Sequence, residues 1–181
     1  QAVKEAKGEY IVLLNNDTEI ITPHWLQIMV GYAMQPHIGA VGTKLLYPDN
    51  TVQHAGIILG IGGIAQHCFI DNPRDDVGFY GRLSVPFNYS AVTAACLMVS
   101  KEKYLEVNGL EEDLQVAFND VDFNLKLLKQ GYYNICLNHV ELYHHESKSR
   151  GDDTVDTSSA KYRRFVQEHD YIKDKWGYML Y

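Results

Sequence analysis

The feature that most constrains this chain is an apolar run that passes directly into a polar, acidic tip. Residues 10–14 read Tyr-Ile-Val-Leu-Leu, as expected for a central strand that is covered on both faces of a sheet. A polar segment ending in Asp17 follows at once, and Thr22-Pro23 predicts a helix N-cap with proline at the first helical position. Because open α/β sheets place their ligands beyond the carboxyl ends of central strands, Asp17 is a candidate site residue. A simple turn built from Asn and Asp would give the same pattern, so this segment alone leaves two interpretations open.

Size and charge exclude several classes of protein. With 181 residues, of which 46% are hydrophobic, the chain is long and apolar enough for a single globular domain over residues 1–181. A formal net charge of -7 argues against nucleic-acid binding, which requires a basic face. No apolar run has the length of a membrane span and no signal-peptide pattern is present, so we expect neither a transmembrane segment nor a secretory signal.

The cysteines indicate a reducing compartment. Cys68, Cys96 and Cys136 are odd in number, widely spaced and set among apolar neighbours. This arrangement matches neither a disulfide framework nor a metal-binding spacing. We therefore expect reduced core residues in a cytoplasmic protein.

Apolar periodicity predicts helices and strands that alternate along the chain. A long stretch rich in Gly, Pro and Asp, residues 60–88, interrupts them and is expected to be a functional loop. The predicted helices cover 23–34, a short stretch ending at Asn108-Gly109, a segment opening at Asn119 as N-cap, and a last segment capped by Ser158. The predicted strands cover 10–14, 38–47, 91–100, 132–137 and 140–143, with a turn at 48–50 that returns through Thr51-Val52. This order predicts an α/β domain with a mixed sheet.

A second acidic cluster, from Asn119 to Asp122, lies at a predicted helix start. Acids in a first helical turn complement the helix dipole, so plain capping explains them as well as a chemical role does. Asp120 and Asp122 point in different directions on a helix. Only one of them can therefore face a given site.

Two further clusters follow the last predicted strand. His144 and His145 suit a metal site, because neutral imidazole is a common metal ligand, although paired histidines also occur in ordinary loops. Lys148 and Arg150 are flanked by Ser and Gly, a composition that suits a loop gripping phosphate. Basic runs of this kind are more often simply solvated, so both interpretations stay open here.

Taken together, these segments resemble the family 2 glycosyltransferases, whose catalytic domain has the GT-A fold. The resemblance spans nearly the whole chain. It rests on residues 6–18 (AKGEYIVLLNNDT), 47–56 (YPDNTVQHAG), 92–97 (VTAACL), 118–123 (FNDVDF) and 143–151 (YHHESKSRG). Each match alone is weak, and it is their shared order and spacing that make the resemblance specific.

The resemblance implies a fold and an incomplete domain. It implies an α/β, GT-A-like mixed sheet flanked by helices, in one partial domain that holds the metal, catalytic-base and acceptor half. The amino-terminal βαβ portion that grips the nucleotide would be lacking, since residues 1–8 look like the tail of a helix ending at Gly8. At about 30 residues per βαβ unit, the missing part would be on the order of 60–100 residues.

The resemblance also implies a divalent cation, Mn²⁺ or Mg²⁺, with Asp17 and His144 as its ligands. Asn15 stands at the first acidic position of the family's Asp-x-Asp motif and can contribute only a hydrogen bond. His145 is a secondary candidate. An imidazole ligand makes Mn²⁺ more favourable than oxygen ligands alone would.

The remaining roles follow from the same resemblance. Asp120 matches the general base, and Asn119 stands where the family often has Glu. Lys148 and Arg150 match the loop that closes on the donor diphosphate. The residues expected on the sugar and acceptor side are Gln53, His54, Thr93 and Asp122, with Ala94 replacing a frequent glycine.

The implied function is an inverting, metal-dependent glycosyltransferase in bacterial surface polysaccharide or glycan synthesis. It would transfer a hexosyl or deoxyhexosyl group from a nucleotide-sugar donor to a hydroxyl of a saccharide or lipid-linked saccharide acceptor. The full-length protein would act in the cytoplasm, at the inner face of the membrane. The fragment alone is expected to be inactive, and the exposed edge of the strand at 10–14 is expected to be covered by self-association or by rearranged loops.

Two other functions compete with this one. Asn15 and Asn119, where acids are frequent, favour a non-catalytic sugar-binding or assembly module with the same fold. A metal-dependent nucleotidyl or phosphoryl transferase would need a glycine-rich phosphate loop, and the sequence has none.

Overall fold

The computed structural model describes residues 2–61, 63–145 and 158–180. Its helices are α1 (Ala2–Glu5), α2 (Trp25–Ala33), α3 (Lys101–Glu106), α4 (Asn119–Lys129) and α5 (Ala160–Trp176). Its strands are β1 (Tyr10–Leu14), β2 (Thr18–Ile20), β3 (Ile38–Leu46), β4 (Val52–His54), β5 (Ile57–Leu59), β6 (Ala65–His67), β7 (Pro86–Tyr89), β8 (Cys96–Ser100) and β9 (Tyr133–His144). Short 3-10 helices cover Phe79–Gly81 and Gly177–Met179.

The strands form a mixed sheet, which confirms the predicted fold class. Seven strands take part, in the order β1-β8-β3-β9-β2, with β4 paired to β3 and β7 paired to β9. The central pair, β3 and β9, is parallel, whereas β8 runs antiparallel to both β1 and β3. Strands β1, β3 and β9 therefore point the same way, and their carboxyl ends meet at one edge of the sheet.

Two apolar cores lie on the opposite faces of this sheet. All nine residues of β3 are buried, because successive side chains of a strand point to opposite faces and both faces are covered. Val41 and Met98 pack in the core that also holds Met29 of α2. Their neighbours Ala40 and Leu97 pack in the core beneath α3 and α4. The sheet is thus a rigid platform for whatever lies at its edge.

The first strand occupies a different place from the predicted one. Strand β1 lies at an edge of the described sheet, paired with β8, and not at its centre. Leu14 is accordingly 44% exposed. The outer side of β1 has no strand partner among residues 2–61, 63–145 and 158–180, and self-association through it stays a prediction.

Three predicted helix caps are wrong, and in two of them the predicted capping side chain forms a different hydrogen bond. The Thr22 hydroxyl accepts a hydrogen bond from the backbone N–H of Glu141, and α2 begins only after His24. Helix α4 is capped by the backbone of Phe118, while the Asn119 amide donates to carbonyls of the preceding loop. The last helix is capped by Ser159, one residue later than predicted.

The remaining elements largely follow the predictions. Helix α2, strand β3 and the turn into β4 lie where apolar periodicity placed them. The strands predicted over 132–137 and 140–143 are one continuous strand, β9, with a bulge where its register against β3 shifts. The stretch 60–88 contains β6 and part of β7. All three cysteines are free and buried, and every helix within the described ranges is too short or too polar to cross a membrane.

Candidate active site

A cleft of about 490 Å³ lies at the sheet edge where β1 and β9 end. Asn15 follows β1, His144 ends β9, and Asp120 lies in the first turn of α4. All three line the cleft, together with His67 of β6 and Thr93, which precedes β8. Polar side chains from five separate segments therefore converge on one concave surface, as open α/β sheets favour.

His144 is held in one tautomer by Gln53. Its Nδ1 lies 2.7 Å from Oε1 of Gln53, whose amide nitrogen donates to the backbone oxygen of His144. Oε1 is therefore the acceptor and Nδ1 carries the proton. The unprotonated Nε2 faces Asn15, whose amide nitrogen lies 3.0 Å away. His144 thus directs a lone pair toward Asn15 and Asp17.

Asp17 meets this lone pair with a carboxylate oxygen. Asp17 Oδ1 lies 3.2 Å from Nε2 of His144, yet this buried oxygen has no hydrogen-bond donor. The distance satisfies an ion pair, but we regard the contact as two facing acceptors, because Nδ1 holds the ring proton. The Asn15 amide already donates toward Nε2, whereas the buried Asp17 Oδ1 has no donor, and a buried polar atom without a partner costs free energy that a bound cation would relieve. Asp17 and His144 therefore fit a cation site.

Backbone pairing fixes the two residues beside each other. Strand β2 pairs antiparallel with the end of β9, so that Thr18 lies opposite His144. The backbone N–H of His145 also donates to the Asp17 carbonyl. The His145 ring turns the other way, with Nε2 3.4 Å from a carboxylate oxygen of Glu19. His144, and not His145, therefore faces the cleft.

Asp17 and His144 are the two side chains that fit a cation here. The described parts of the chain contain no group of three or more His, Cys, Asp or Glu side chains that could hold a metal ion. A hard divalent cation is often bound through one or two carboxylates and completes its shell with water and substrate phosphates. A site with few protein ligands is therefore compatible with such a cation.

Asp120 is oriented by two backbone donors. Its Oδ2 accepts a hydrogen bond of 3.1 Å from the N–H of Ala94, and its Oδ1 accepts one of 2.9 Å from the N–H of Val121. Phe118, two residues before Asp120, has a left-handed backbone, with φ of 59°. A bulky residue rarely adopts that conformation, and such strain is concentrated at functional sites.

Asp122 does not reach the cleft. It is fully buried and accepts a hydrogen bond of 2.8 Å from the indole N–H of Trp176. Two ammonium groups, of Lys126 and Lys175, each lie 2.9 Å from its carboxylate oxygens. The two acids of α4 therefore point in different directions, as predicted. Asp122 anchors α5 and does not make the expected contact with the sugar.

Gln53 and His54 lie behind the cleft wall. His54 is fully buried, and its Nε2 faces the backbone N–H groups of Gly56 and Thr93. Burial lowers the pKa of His54 well below its usual value, so the ring is neutral. His67 lines the cleft in its place, with Nδ1 3.1 Å from the backbone oxygen of Gln53.

Sequence reasoning missed His67, and it left two candidates outside the described residues. His67 lies in the stretch 60–88, whose length was the one signal that this stretch is functional. Thr93 and Ala94 line the cleft, and their contact with the sugar or the acceptor stays a prediction. Lys148 and Arg150 fall within 146–157, outside the described residues.

Solved structures share this architecture. GalNAc-T7 with UDP, GalNAc and Mn²⁺ matches with a TM-score of 0.64 and 12% identity, over 93% of this chain and 33% of the other. The mannosyltransferase PcManGT from Pyrobaculum calidifontis, in complex with GDP-Man and Mn²⁺, matches with a TM-score of 0.53 and 18% identity, over 82% of this chain and 35% of the other. The chain has a GT-A glycosyltransferase fold.

Two curated proteins are similar in sequence. One, described as the uncharacterized protein y4gI of Sinorhizobium fredii, is 46% identical over 176 residues, which are 97% of this chain and 19% of that protein. The other, the O-antigen biosynthesis protein RfbC of Myxococcus xanthus, is 40% identical over 161 residues, 85% of this chain and 12% of that protein. The chain therefore spans less than a fifth of either relative. No family model matches it.

Proposed function

We propose that this chain is the metal, base and acceptor half of an inverting, family 2 glycosyltransferase of bacterial surface polysaccharide synthesis. The observation that carries the proposal is the meeting of Asp17 and His144, as two facing acceptors, beside a cleft that Asp120 also lines. The fold and the similarity to RfbC support sugar transfer in polysaccharide synthesis. The alternative, a non-catalytic sugar-binding or assembly module, has the same fold. The experiment below distinguishes it from a glycosyltransferase.

Asp17 and His144 would hold the divalent cation, Mn²⁺ or Mg²⁺. Both structural neighbours are described with Mn²⁺ and a nucleotide or nucleotide sugar. When bound, such a cation supplies positive charge to the leaving nucleoside diphosphate. Lys148 and Arg150 would contact the same diphosphate, because basic side chains stabilise phosphate oxygens as they leave.

Asp120 would accept the proton of the acceptor hydroxyl. Two backbone N–H groups orient its carboxylate at the cleft, so that it can reach a hydroxyl bound there. As the proton leaves, the hydroxyl oxygen forms a bond to the anomeric carbon and the bond from that carbon to the diphosphate breaks, with inversion. Thr93 and His67 would contact the sugar or the acceptor from the cleft wall.

We propose a nucleotide-sugar donor, a hexosyl or deoxyhexosyl group, and a saccharide or lipid-linked saccharide acceptor. The reaction would take place in the cytoplasm, at the inner face of the membrane. Residues 1–181 alone are proposed to be inactive, so the decisive assays use the full-length protein.

The test is Asp120→Asn in the full-length protein, with release of nucleoside diphosphate measured against a panel of nucleotide sugars and Mn²⁺. The change is nearly isosteric and removes the proton acceptor, and general-base catalysis is worth about 10²–10⁴-fold. We expect a loss of that size in turnover, with donor binding by calorimetry unchanged. Asp75→Asn, at an exposed loop position, is the matched control.

The outcomes separate the candidate functions. A variant that keeps most of the wild-type turnover would exclude Asp120 as the base. A wild-type protein that binds nucleotide sugars without any turnover would favour the non-catalytic module.

A further inference from the structure

The wall of the cleft nearest Asp120 is an irregular loop. Residues 115–118 form this loop, which leads directly into α4. Val116, Ala117 and Phe118 line the cleft. The position of Asp120, two residues after Phe118, therefore depends on what holds this loop in place.

A single buried carboxylate holds the backbone of the loop. Glu168, from the middle of α5, is 3% exposed. Its Oε1 accepts hydrogen bonds from the N–H groups of Gln115 and Val116, at 3.0 and 3.2 Å, and its Oε2 accepts one of 2.6 Å from Ala117. Three consecutive N–H groups turned to one side form a concavity that binds anions. Here the anion is a side chain of the same protein.

The next residue of the loop is held by the same helix. The ring of Phe118 lies 5.6 Å from the ring of Phe165 and 6.3 Å from that of His169. Both partners belong to α5 and flank Glu168. The left-handed backbone of Phe118 costs free energy and persists only where the surroundings impose it. Helix α5 thus fixes the loop through its backbone and through its last side chain.

We propose that Glu168 is a positioning residue that sets the place of Asp120 through the loop 115–118. This inference rests on the proposed function, in which Asp120 is the base. Glu168 is not among the cleft-lining residues, so it acts through the backbone and not on substrate. Helix α5, which is remote in sequence from Asp17, thereby contributes to proton removal by positioning Asp120.

The first test needs no substrate. Amide hydrogen exchange is measured on the full-length protein for the wild type, Glu168→Gln and Glu168→Asp. Hydrogen bonds to a charged acceptor are the stronger kind, so their loss should speed exchange at Gln115, Val116 and Ala117 by about ten- to a hundredfold. Exchange in the buried strand β3 should be unchanged. Asp174→Asn, an exposed carboxylate of the same helix, is the matched control.

The second test separates positioning from stability. In the full-length protein, Glu168→Gln should lower kcat by about tenfold, because a small misplacement of a catalytic group costs that much or more, while the donor KM stays within about twofold of wild type. A purely structural role would lower Tm and the folded fraction but would leave kcat per folded molecule unchanged. Glu168→Asp keeps the carboxylate on a shorter side chain, so its kcat should lie between that of wild type and that of Glu168→Gln. Glu168→Asp serves as the test variant if Glu168→Gln does not fold.

Each outcome decides the inference. Faster loop exchange together with the selective fall in kcat supports it. Unchanged exchange at 115–117, or faster exchange with unchanged kcat, overturns it and leaves the proposed function standing. A wild-type full-length protein without transferase activity overturns the proposed function, and the assignment of Glu168 to the positioning of Asp120 falls with it.

Discussion

Gln53 faces two imidazoles, His144 through its side-chain Oε1 and His67 through its backbone oxygen. Because both oxygens can only accept, both rings carry their proton on Nδ1, and the unprotonated Nε2 of His144 faces Asn15 and Asp17. Metal-ligating histidines commonly have such an oxygen acceptor behind them, and the acceptor sets the tautomer and the basicity of the ligating nitrogen. At the scale of the residue, Gln53 therefore sets the tautomers of two histidines that line the cleft, although Gln53 itself does not line it.

We predict that Gln53→Leu changes the tautomer of one histidine and spares the other. The substitution removes the side-chain acceptor of His144 but leaves the backbone acceptor of His67, which makes His67 an internal control. Nitrogen-15 chemical shifts should show His144 moving from the Nδ1–H form to a mixture, and Mn²⁺ affinity should fall about 10–100-fold. Unchanged His144 shifts would mean that Gln53 does not set the tautomer.

The connection between β4 and β5 packs closely against the sheet at a single glycine, Gly56. Gly56 has φ of +107°, and a Cβ built there would clash with the ring of Tyr89. Its N–H also points at Nε2 of the buried His54. The connection that follows β4, the strand containing Gln53, therefore needs a residue without a side chain at this position.

We predict that Gly56→Ala strongly destabilises the fold. The left-handed backbone costs a residue with a Cβ about 1–2 kcal/mol, and overpacking against Tyr89 adds about 1–3 kcal/mol. Gly81→Ala is the matched control, because Gly81 has φ of +76° with nothing within 4 Å of the added Cβ. Urea unfolding of both variants measures the difference. Equal losses would show that Tyr89 moves aside at no cost.

The sequence predicted which segments form helices and strands better than it predicted where those elements begin and end. Apolar periodicity located α2, β3 and α4, since each buries a continuous face. It misplaced the caps of α2 and α4, because Thr22 accepts a hydrogen bond from the distant Glu141 and Asn119 donates to carbonyls of the loop before it. Asp120 and His144 lie at the start of α4 and at the end of β9, and polar side chains at such element boundaries can leave the core for a shared cleft. His67 lies on a three-residue strand without periodicity, so nothing in the sequence marked it.

At the scale of the whole molecule, a charged cluster joins α5 to α4 and to the loop before it. The ammonium of Lys175 lies 2.8 Å from Glu111 and 2.9 Å from the fully buried Asp122. Lys126 lies 2.9 Å from Asp122 and 3.6 Å from Glu111. Two acids and two bases thus neutralise each other where the carboxyl-terminal helix packs on the rest of the domain.

This cluster predicts a specific loss of stability in acid. The hydrogen bond from Lys175 lowers the pKa of Glu111 from its usual 4.5 to about 2. Since the folded-state pKa is depressed, the contribution of Glu111 is fully present above about pH 4.5 and is lost as the pH falls toward 2. Glu111→Gln should therefore destabilise the protein at pH 7, and its difference from wild type should shrink below pH 4.5.

Urea unfolding at a series of pH values measures this effect. Glu112→Gln is the control, because Glu112 is the exposed neighbour of Glu111. A constant difference between Glu111→Gln and wild type from pH 7 to 2 would contradict the prediction.

Strand β9 carries His144 as its last residue, and this placement restricts how the gene can vary. From Glu141 onward β9 pairs without interruption with β3, and its end also pairs with β2. Loss or gain of one codon within that stretch would turn the imidazole to the opposite face of the sheet. Homologues that keep the histidine should therefore differ here by substitution and not in length. Indel tolerance along the gene would then report the position of the site without any assay of activity.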